Sequence, residues 1–261
     1  YFVGSGGSDY LDFIGDISDL DIIKGMLYLA IDHVPGFIGF CFYHVPDNSV
    51  TASKLTNVAK KRGLQMYDEG ELPSPRLELK DFPVHALESI RKKSLVRHEN
   101  WFKRNGYLKV EHLKRSNEIL PLLNFFFEQH INRWAHTPFP SLFIDPVQKV
   151  FYKRLLEELA ETDWLRFTCV NWQDRYVAFH FGFNYNGNFF WYKPTFEIAL
   201  AKHSPGEVLL RQLLLQAQCE QAHTFDFGLG DEEFKKRFST NTQLVRTWGL
   251  YPSSVINGNK S

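Results

Sequence analysis

Apolar positions in the first ~75 residues switch between the two-residue spacing of strands and the three-to-four-residue spacing of helices. Tyr10 to Ile14 reads as a short buried strand, and Leu20 to Ala30 has helical spacing. Gly36 to Val45 reads as a strand closed by Pro46-Asp47-Asn48-Ser49. Thr51 is placed as the N-cap of a helix over Ala52 to Arg62, and Leu64 to Asp68 follows as another short strand. This alternation predicts an α/β unit. Glu69 to Pro75, with Gly70, Pro73 and Pro75, is the expected linker.

Beyond the linker the pattern is clearer. Val84 to Asn105 is a charged amphipathic helix stopped by Gly106, and Tyr107 to Leu113 is a strand. Asn117 to Trp134 is a helix with Pro121 in its first turn; Pro146 to Ala160 is a second, capped by Asp145. Strands follow at Leu165 to Asn171, Tyr176 to Asn184 and Asn188 to Thr195, joined by tight turns at Gln173-Asp174 and Asn186-Gly187. The remaining elements are a long helix over Ser204 to Ala222, a short strand over Thr224 to Phe227, a short helix over Asp231 to Phe238 and a strand over Gln243 to Leu250. The expected division is 1–75, 76–252 and a tail over 253–261.

Composition narrows the function classes. Thirty Lys+Arg balance thirty Asp+Glu, which argues against a nucleic-acid partner or electrostatic membrane binding. Aromatics reach 16%, with 24 Phe, as suits a sheet-centred core. Cys41, Cys169 and Cys219 are odd in number, widely spaced and without a CxxC pair. They read as buried core thiols in a reducing, cytoplasmic setting, with no disulfide framework and no metal site. No apolar run reaches the roughly 18 residues of a membrane-spanning helix, and no signal peptide is visible. The opening Tyr1-Phe2-Val3 reads as mid-strand, so a preceding segment is expected.

Without its leading helix, the order from Tyr107 onward is one strand, two helices, three antiparallel strands, a long helix, a strand, a helix and a strand. That order resembles the GNAT acyltransferase superfamily. Three stretches are similar to one branch of it, the acetyltransferase-like proteins of cellulose and exopolysaccharide gene clusters. They are Tyr176-Val-Ala-Phe-His-Phe-Gly-Phe183, Ser204-Pro-Gly-Glu-Val-Leu-Leu210 and Phe225-Asp-Phe-Gly-Leu-Gly-Asp-Glu-Glu-Phe-Lys235. Phe2 to Tyr10 also looks like the middle of that family. The Asp226 to Lys235 element is similar to that of the Fem aminoacyl transferases, whose two tandem GNAT-like halves imply that 1–75 is a truncated first half. The resemblance implies a mixed, mostly antiparallel α/β sheet flanked by helices, and acetyl-CoA or another acyl-CoA as co-substrate. One departure stands out: where GNAT enzymes carry a glycine-rich pyrophosphate loop, Leu200-Ala-Lys-His-Ser-Pro-Gly206 has a single glycine.

A helix N-terminus presents unpaired N–H groups and partial positive charge, and so suits phosphate. Ser204 as N-cap, Pro205 at the first position and Gly206 beside an approaching ligand make such an end; Glu207 lies in its first turn, and Lys202 and His203 could add charge. The alternative is a well-capped helix and nothing more. Pro194 lacks a ladder donor, so the preceding strand, with Trp191, Tyr192 and Lys193, is expected to kink or leave its neighbour there and bare backbone for a pantetheine arm. A strand ending at a sheet edge is the plainer alternative.

Acyl transfer needs a base, a stabiliser for the oxyanion and a proton for the thiolate. His180, ionisable within an apolar strand, is the candidate base or else a core histidine. Asp226, between Phe225 and Phe227, either orients the acceptor or belongs to a structural ion pair. Lys235 matches the family's lysine or is a solvated charge. Phe234 stands where the branch often has Tyr, which moves the acid role to Tyr192. Trp134, Trp191 and Tyr192 either line a sugar-acceptor site or belong to the core.

Three functions compete: acyl transfer from CoA to a small-molecule or glycan-precursor acceptor, Fem-like transfer from aminoacyl-tRNA, and a non-catalytic module that kept the fold. Balanced charge and the lack of a basic helical arm speak against the second. Neither acceptor nor oligomeric state can be read from these residues.

Overall fold

The computed structural model describes all residues except 5, 6, 16, 18, 82 and 254–261, so most of the expected tail lies outside the described residues. In chain order the elements are α1 (Leu20–His33), β1 (Phe40–Pro46), α2 (Thr51–Arg62), β2 (Leu64–Glu78), α3 (Pro83–Ile90), α4 (Lys93–Arg104), β3 (Leu108–Leu113), α5 (Ser116–Ile119), α6 (Leu123–Trp134), α7 (Pro146–Glu158), β4 (Leu165–Trp172), β5 (Arg175–Tyr185), β6 (Asn188–Phe196), α8 (Pro205–Cys219), β7 (Thr224–Asp226), α9 (Glu233–Lys236) and β8 (Asn241–Pro252).

The chain forms two compact units. One takes Tyr1–Pro75, Leu229–Lys236 and the chain from Thr242 onward; the other takes Arg76–Gly228 with Arg237–Asn241. In the first, the strand order is β1-β8-β2. Its core sets Ile23 and Leu27 of α1 and Leu55 and Val58 of α2 against Phe40, Phe42 and Leu250. In the second, the order is β2-β7-β6-β5-β4-β3, with β2 contributing Arg76 to Glu78. Pairing is antiparallel for β2–β7, β3–β4, β4–β5 and β5–β6, and parallel for β6–β7. This is the expected mixed, mostly antiparallel sheet with flanking helices.

Alternation decides which face of the second unit each residue covers. Phe167, Phe179 and Phe181 pack with Phe126, Phe127, Phe143 and Tyr152 from α6, α7 and the turn between them. Buried Val208, Leu209, Leu213 and Leu214 line the inner face of α8. The turns joining β4 to β5 and β5 to β6 carry positive φ at both central residues: Gln173 51° and Asp174 60°, Asn186 49° and Gly187 75°. That is the geometry whose twist matches paired strands.

Several expectations are corrected. Tyr10 to Ile14 is not a strand. Leu11 is buried and donates one backbone bond to His44 O (3.1 Å), while the Asp12 carboxylate is occupied by the Ser49 and Thr51 hydroxyls. Thr51 is therefore the first residue of α2, with its hydroxyl committed to Asp12, and Val50 holds the cap position without a side-chain bond. Glu69 to Pro75 is no linker but the middle of β2. Pro73 and Pro75 are two apart, so both missing donors fall on one edge. There Pro73 O accepts from Gly230 N (2.9 Å), a bond that needs no proline donor.

The helix expected over Val84 to Asn105 breaks at Arg91-Lys92, because Lys92 is extended (ψ 131°) and sends its ammonium to Arg237 O at 2.6 Å. Pro121 sits in a 3-10 turn over Leu120–Leu122, which separates α5 from α6. Of the cysteines, Cys169 is buried, Cys41 half-buried, and Cys219 exposed at the end of α8.

Candidate functional site

Strand β6 is where the second unit's sheet opens. It pairs with β7 only through Asn188↔Thr224, Phe189↔Phe225 and Phe190↔Asp226, then continues to Phe196 along β5. Among the described residues no strand pairs with its other edge from Trp191 to Phe196. Glu197 N donates to Val177 O (2.9 Å) on the β5 side. By two-residue alternation Thr195 and Lys193 also face β5, and Pro194 and Phe196 face the open edge. The missing Pro194 donor thus falls where no ladder exists. The strand does not leave its neighbour at Pro194 as expected; His180↔Pro194 and Ala178↔Phe196 are paired.

The irregularity lies lower, at a bulge where Phe181↔Lys193 is followed by Phe183↔Phe190. His180 fills it. Its Nε2 donates to Phe190 O at 3.1 Å and lies 3.4 Å from Tyr192 N, and its ring stacks near Phe189 and Trp191. Gly182 leaves room for this: a Cβ there would come within 2.3 Å of Phe190 O and 2.4 Å of the His180 ring. His180 is fully buried, and burial pushes its pKa down to about 3. The imidazole is neutral at pH 7 and far below the value that suits a base. Its geometry is that of a bracket for the bulge.

His130 is held alike. It hydrogen-bonds Ser141 Oγ through Nδ1 (2.8 Å), and burial, then Lys193 and Arg133, push its pKa down to about 3. Both histidines have folded values below the unfolded 6.5, so the unfolded chain binds more protons between these limits. Their contribution to stability is present above pH 6.5 and is lost as pH falls toward 3. The urea midpoint is expected to drop steadily from pH 7 to pH 4; a midpoint independent of pH there would contradict this placement.

Strand β6 leads into a 3-10 turn (Ile198–His203) and then α8. Ser204 holds the cap position but in the left-handed region (φ 57°, ψ 55°), and its side chain makes no capping bond. The expected side-chain cap is therefore absent, since that conformation turns the hydroxyl away from the first-turn N–H groups; Ser204 O instead accepts from Glu207 N (3.0 Å) and Val208 N (3.3 Å). Pro205 is buried, and a Cβ on Gly206 would meet Phe196 Cδ1 at 3.1 Å. Glu207 faces His98 Nε2 and Arg237 Nη1, each at 3.6 Å. His203 stacks on Trp101 at 3.5 Å between ring centres, and burial, then Lys202 and His98, hold its pKa below the usual range. Lys202 is exposed.

The other candidates are spread out. Asp226 is wholly buried, paired with Arg76 Nη2 (3.0 Å) and accepting from Gly228 N (2.8 Å). Trp191 is buried on the His180 side, near Phe225. Tyr192 is half-buried against Phe183 and Phe190, with Lys193 Nζ 4.0 Å above its ring. Lys235 belongs to the first unit, where it bonds Leu229 O (2.6 Å) and Glu232 (2.8 Å). Trp134 stacks near His130.

A further residue was not legible beforehand. Arg133, at the end of α6, donates through Nη1 to Pro194 O (2.8 Å), and its guanidinium lies over Phe196 (4.3 Å) and near Trp134 (5.1 Å). Nothing in the helix sequence marks it; only the crossing of α6 over β6 does. Among the described residues no group of three or more His, Cys, Asp or Glu could hold a metal, and no helix is long and apolar enough to cross a membrane.

Residues 89–236 match the family model described as the acetyltransferase (GNAT) domain. No curated protein sequence matches the chain. Among solved structures, FemX is similar over 92% of this chain and 79% of its own, at 11% identity and a TM-score of 0.61. The C-terminal domain of a putative lysylphosphatidylglycerol synthetase from Agrobacterium fabrum is similar over 89% and 74%, at 14% identity and 0.59. L-PGS from Bacillus licheniformis is similar over 94% and 78%, at 15% identity and 0.58. At these identities the likeness is one of fold.

Proposed function

Since the chain belongs to the acetyltransferase (GNAT) domain family, we propose that it transfers an acyl group, acetyl first among candidates, from acyl-CoA to an amine or hydroxyl. The acceptor we propose is a small molecule or glycan precursor in the cytoplasm. One observation carries this reading: β6 keeps its pairing with β5, its pairing with β7 stops at Phe190, and the edge that continues from Trp191 to Phe196, where Arg133 holds Pro194 O, runs to the N-terminus of α8. A pantetheine arm has amides at strand-like spacing and fits such an edge, with its diphosphate toward the helix end. In the transfer, the acceptor's nitrogen or oxygen bonds to the thioester carbon, the C–S bond breaks, and the acceptor's proton goes to the thiolate. We assign that protonation to Tyr192, half-buried beside the bulge.

His180 and Asp226 are given positioning roles, for both are committed inside the fold. The tandem reading, with 1–75 as part of a first GNAT-like half, is kept as part of the proposal. The FemX likeness and the single-glycine loop favour one second reading, an aminoacyl donor in place of acyl-CoA.

Acetyl-CoA titrated into the protein decides between them. Ligand at 100 times its Kd should stabilise the fold by about 2.7 kcal/mol. Gly206→Asp should abolish that shift, since it adds a carboxylate at the helix end and a Cβ 3.1 Å from Phe196. No shift with the wild-type protein would reject the CoA reading.

A further inference from the structure

The N-terminus of α8 offers a doubly charged ligand its helix-end charge and the Gly206 N–H, but few further donors. Pro205 has no N–H, those of Glu207 and Val208 already bond Ser204 O, and Glu207 adds a negative side chain. The nearby cations do little: Lys202 points to solvent, and His203 lies flat on Trp101. An acyl-CoA diphosphate would bring negative charge to a place with few local donors.

Arg133 has the opposite imbalance. It is half-buried, its one guanidinium bond goes to a neutral carbonyl, Pro194 O, and among the described residues it has no carboxylate partner. The Phe196 and Trp134 rings lie close to it, and burial pushes its pKa down to about 10. A charge so desolvated and unpaired is costly in the resting protein and gains most from an arriving anion. It also lies at the right place. Its guanidinium sits over the Phe196 ring, the same ring that lies beside Gly206 at the start of α8, and it reaches the edge of β6 beyond its pairing with β7, at Pro194.

We infer that Arg133 is the side chain that receives the diphosphate of the acyl donor, supplying from α6 the cation that the loop before α8 lacks. This rests on the acyl-CoA reading above. Arg133 touches the donor, not the reacting carbon, and so acts in binding. Its planar fork suits two phosphate oxygens at once.

Calorimetry with three ligands tests this: acetyl-CoA, its analogue without the 3′-phosphate, and acetyl-pantetheine, which keeps the thioester arm but has no diphosphate. Arg133→Gln should weaken both diphosphate ligands about 10- to 100-fold and leave acetyl-pantetheine unchanged. Arg133→Lys keeps the charge and should stay within about tenfold of wild type on all three, which holds the test open should the glutamine variant fail to fold. Equal weakening of all three ligands, or no weakening, would overturn the inference. So would a wild-type protein that holds acetyl-pantetheine as tightly as acetyl-CoA, while leaving the acyl-CoA reading intact. A wild-type protein that binds none of the three overturns both.

Discussion

Asp226→Ala is expected to destabilise the protein by about 3–5 kcal/mol, as removal of one partner of a buried pair does. The carboxylate is wholly buried, and its donors include Arg76 Nη2 at 3.0 Å, Gly228 N at 2.8 Å and Asn188 Nδ2 at 3.4 Å. Alanine removes the buried carboxylate that Arg76 bonds, and Arg76 is the point where β2 meets β7 in register with Asp226. Urea denaturation reads the loss. The double variant Arg76→Met/Asp226→Leu should recover a substantial part of it, because two apolar side chains replace the whole ion pair instead of half of it. If Asp226→Ala keeps wild-type stability and loses only turnover, Asp226 is a catalytic group and not a structural one.

The second large effect is expected at Glu220, just past α8. Its carboxylate receives Arg166 Nε at 2.9 and 2.7 Å, Asn184 Nδ2 at 2.8 Å and Gln216 Nε2 at 2.7 Å. Arg166 is 5% exposed and keeps Asp163 and the Leu165 carbonyl when Glu220→Ala removes its other carboxylate, so the expected loss is that of several charge-assisted hydrogen bonds, about 1.5–3 kcal/mol. The pH dependence follows. Burial pushes the Glu220 carboxyl up, but the bonds from Gln216, Asn184 and Arg166 outweigh it and hold the pKa below the ordinary 4.5. A carboxyl lowered by folding stabilises fully above its unfolded value and ceases to do so as pH falls through its folded value. The gap between wild type and Glu220→Ala should therefore be full at pH 7 and narrow only below pH 4.5. A gap that is already small at pH 7 would show that the pair contributes little.

Legibility in the sequence followed the reach of the forces involved. Strands β4, β5 and β6 stood out because their turns need positive φ, and Asn186-Gly187 announces it locally. Helix α7 was marked by Asp145, which accepts from Val147 N at 2.8 Å as its type and place suggest. Features set by distant partners were hidden. Pro73 and Pro75 look like a linker until Gly230 is found bonding to that edge of β2. Tyr10 to Ile14 looks like a strand until Asp12 is found committed to Ser49 and Thr51.

The candidate site divides the same way. An ionisable residue in an apolar run flags a special environment, and His180 and Asp226 do have one; the flag does not say whether the group faces ligand or protein. The bulge at Trp191 and Tyr192, which gives His180 its partners, depends on cross-strand register and leaves no local mark. Arg133 is one charge in an unremarkable helix; its meaning comes wholly from lying across Pro194 and Phe196.

The central claim is that the edge of β6 beyond its pairing with β7 and the start of α8 together seat an acyl-CoA. Hydrogen exchange with and without saturating acetyl-CoA tests it most directly. Predicted are slowed amides within Trp191 to Phe196 and within Ser204 to Val208, with little change along β3 and β4. Binding that protects neither segment, or no binding at all, would contradict it.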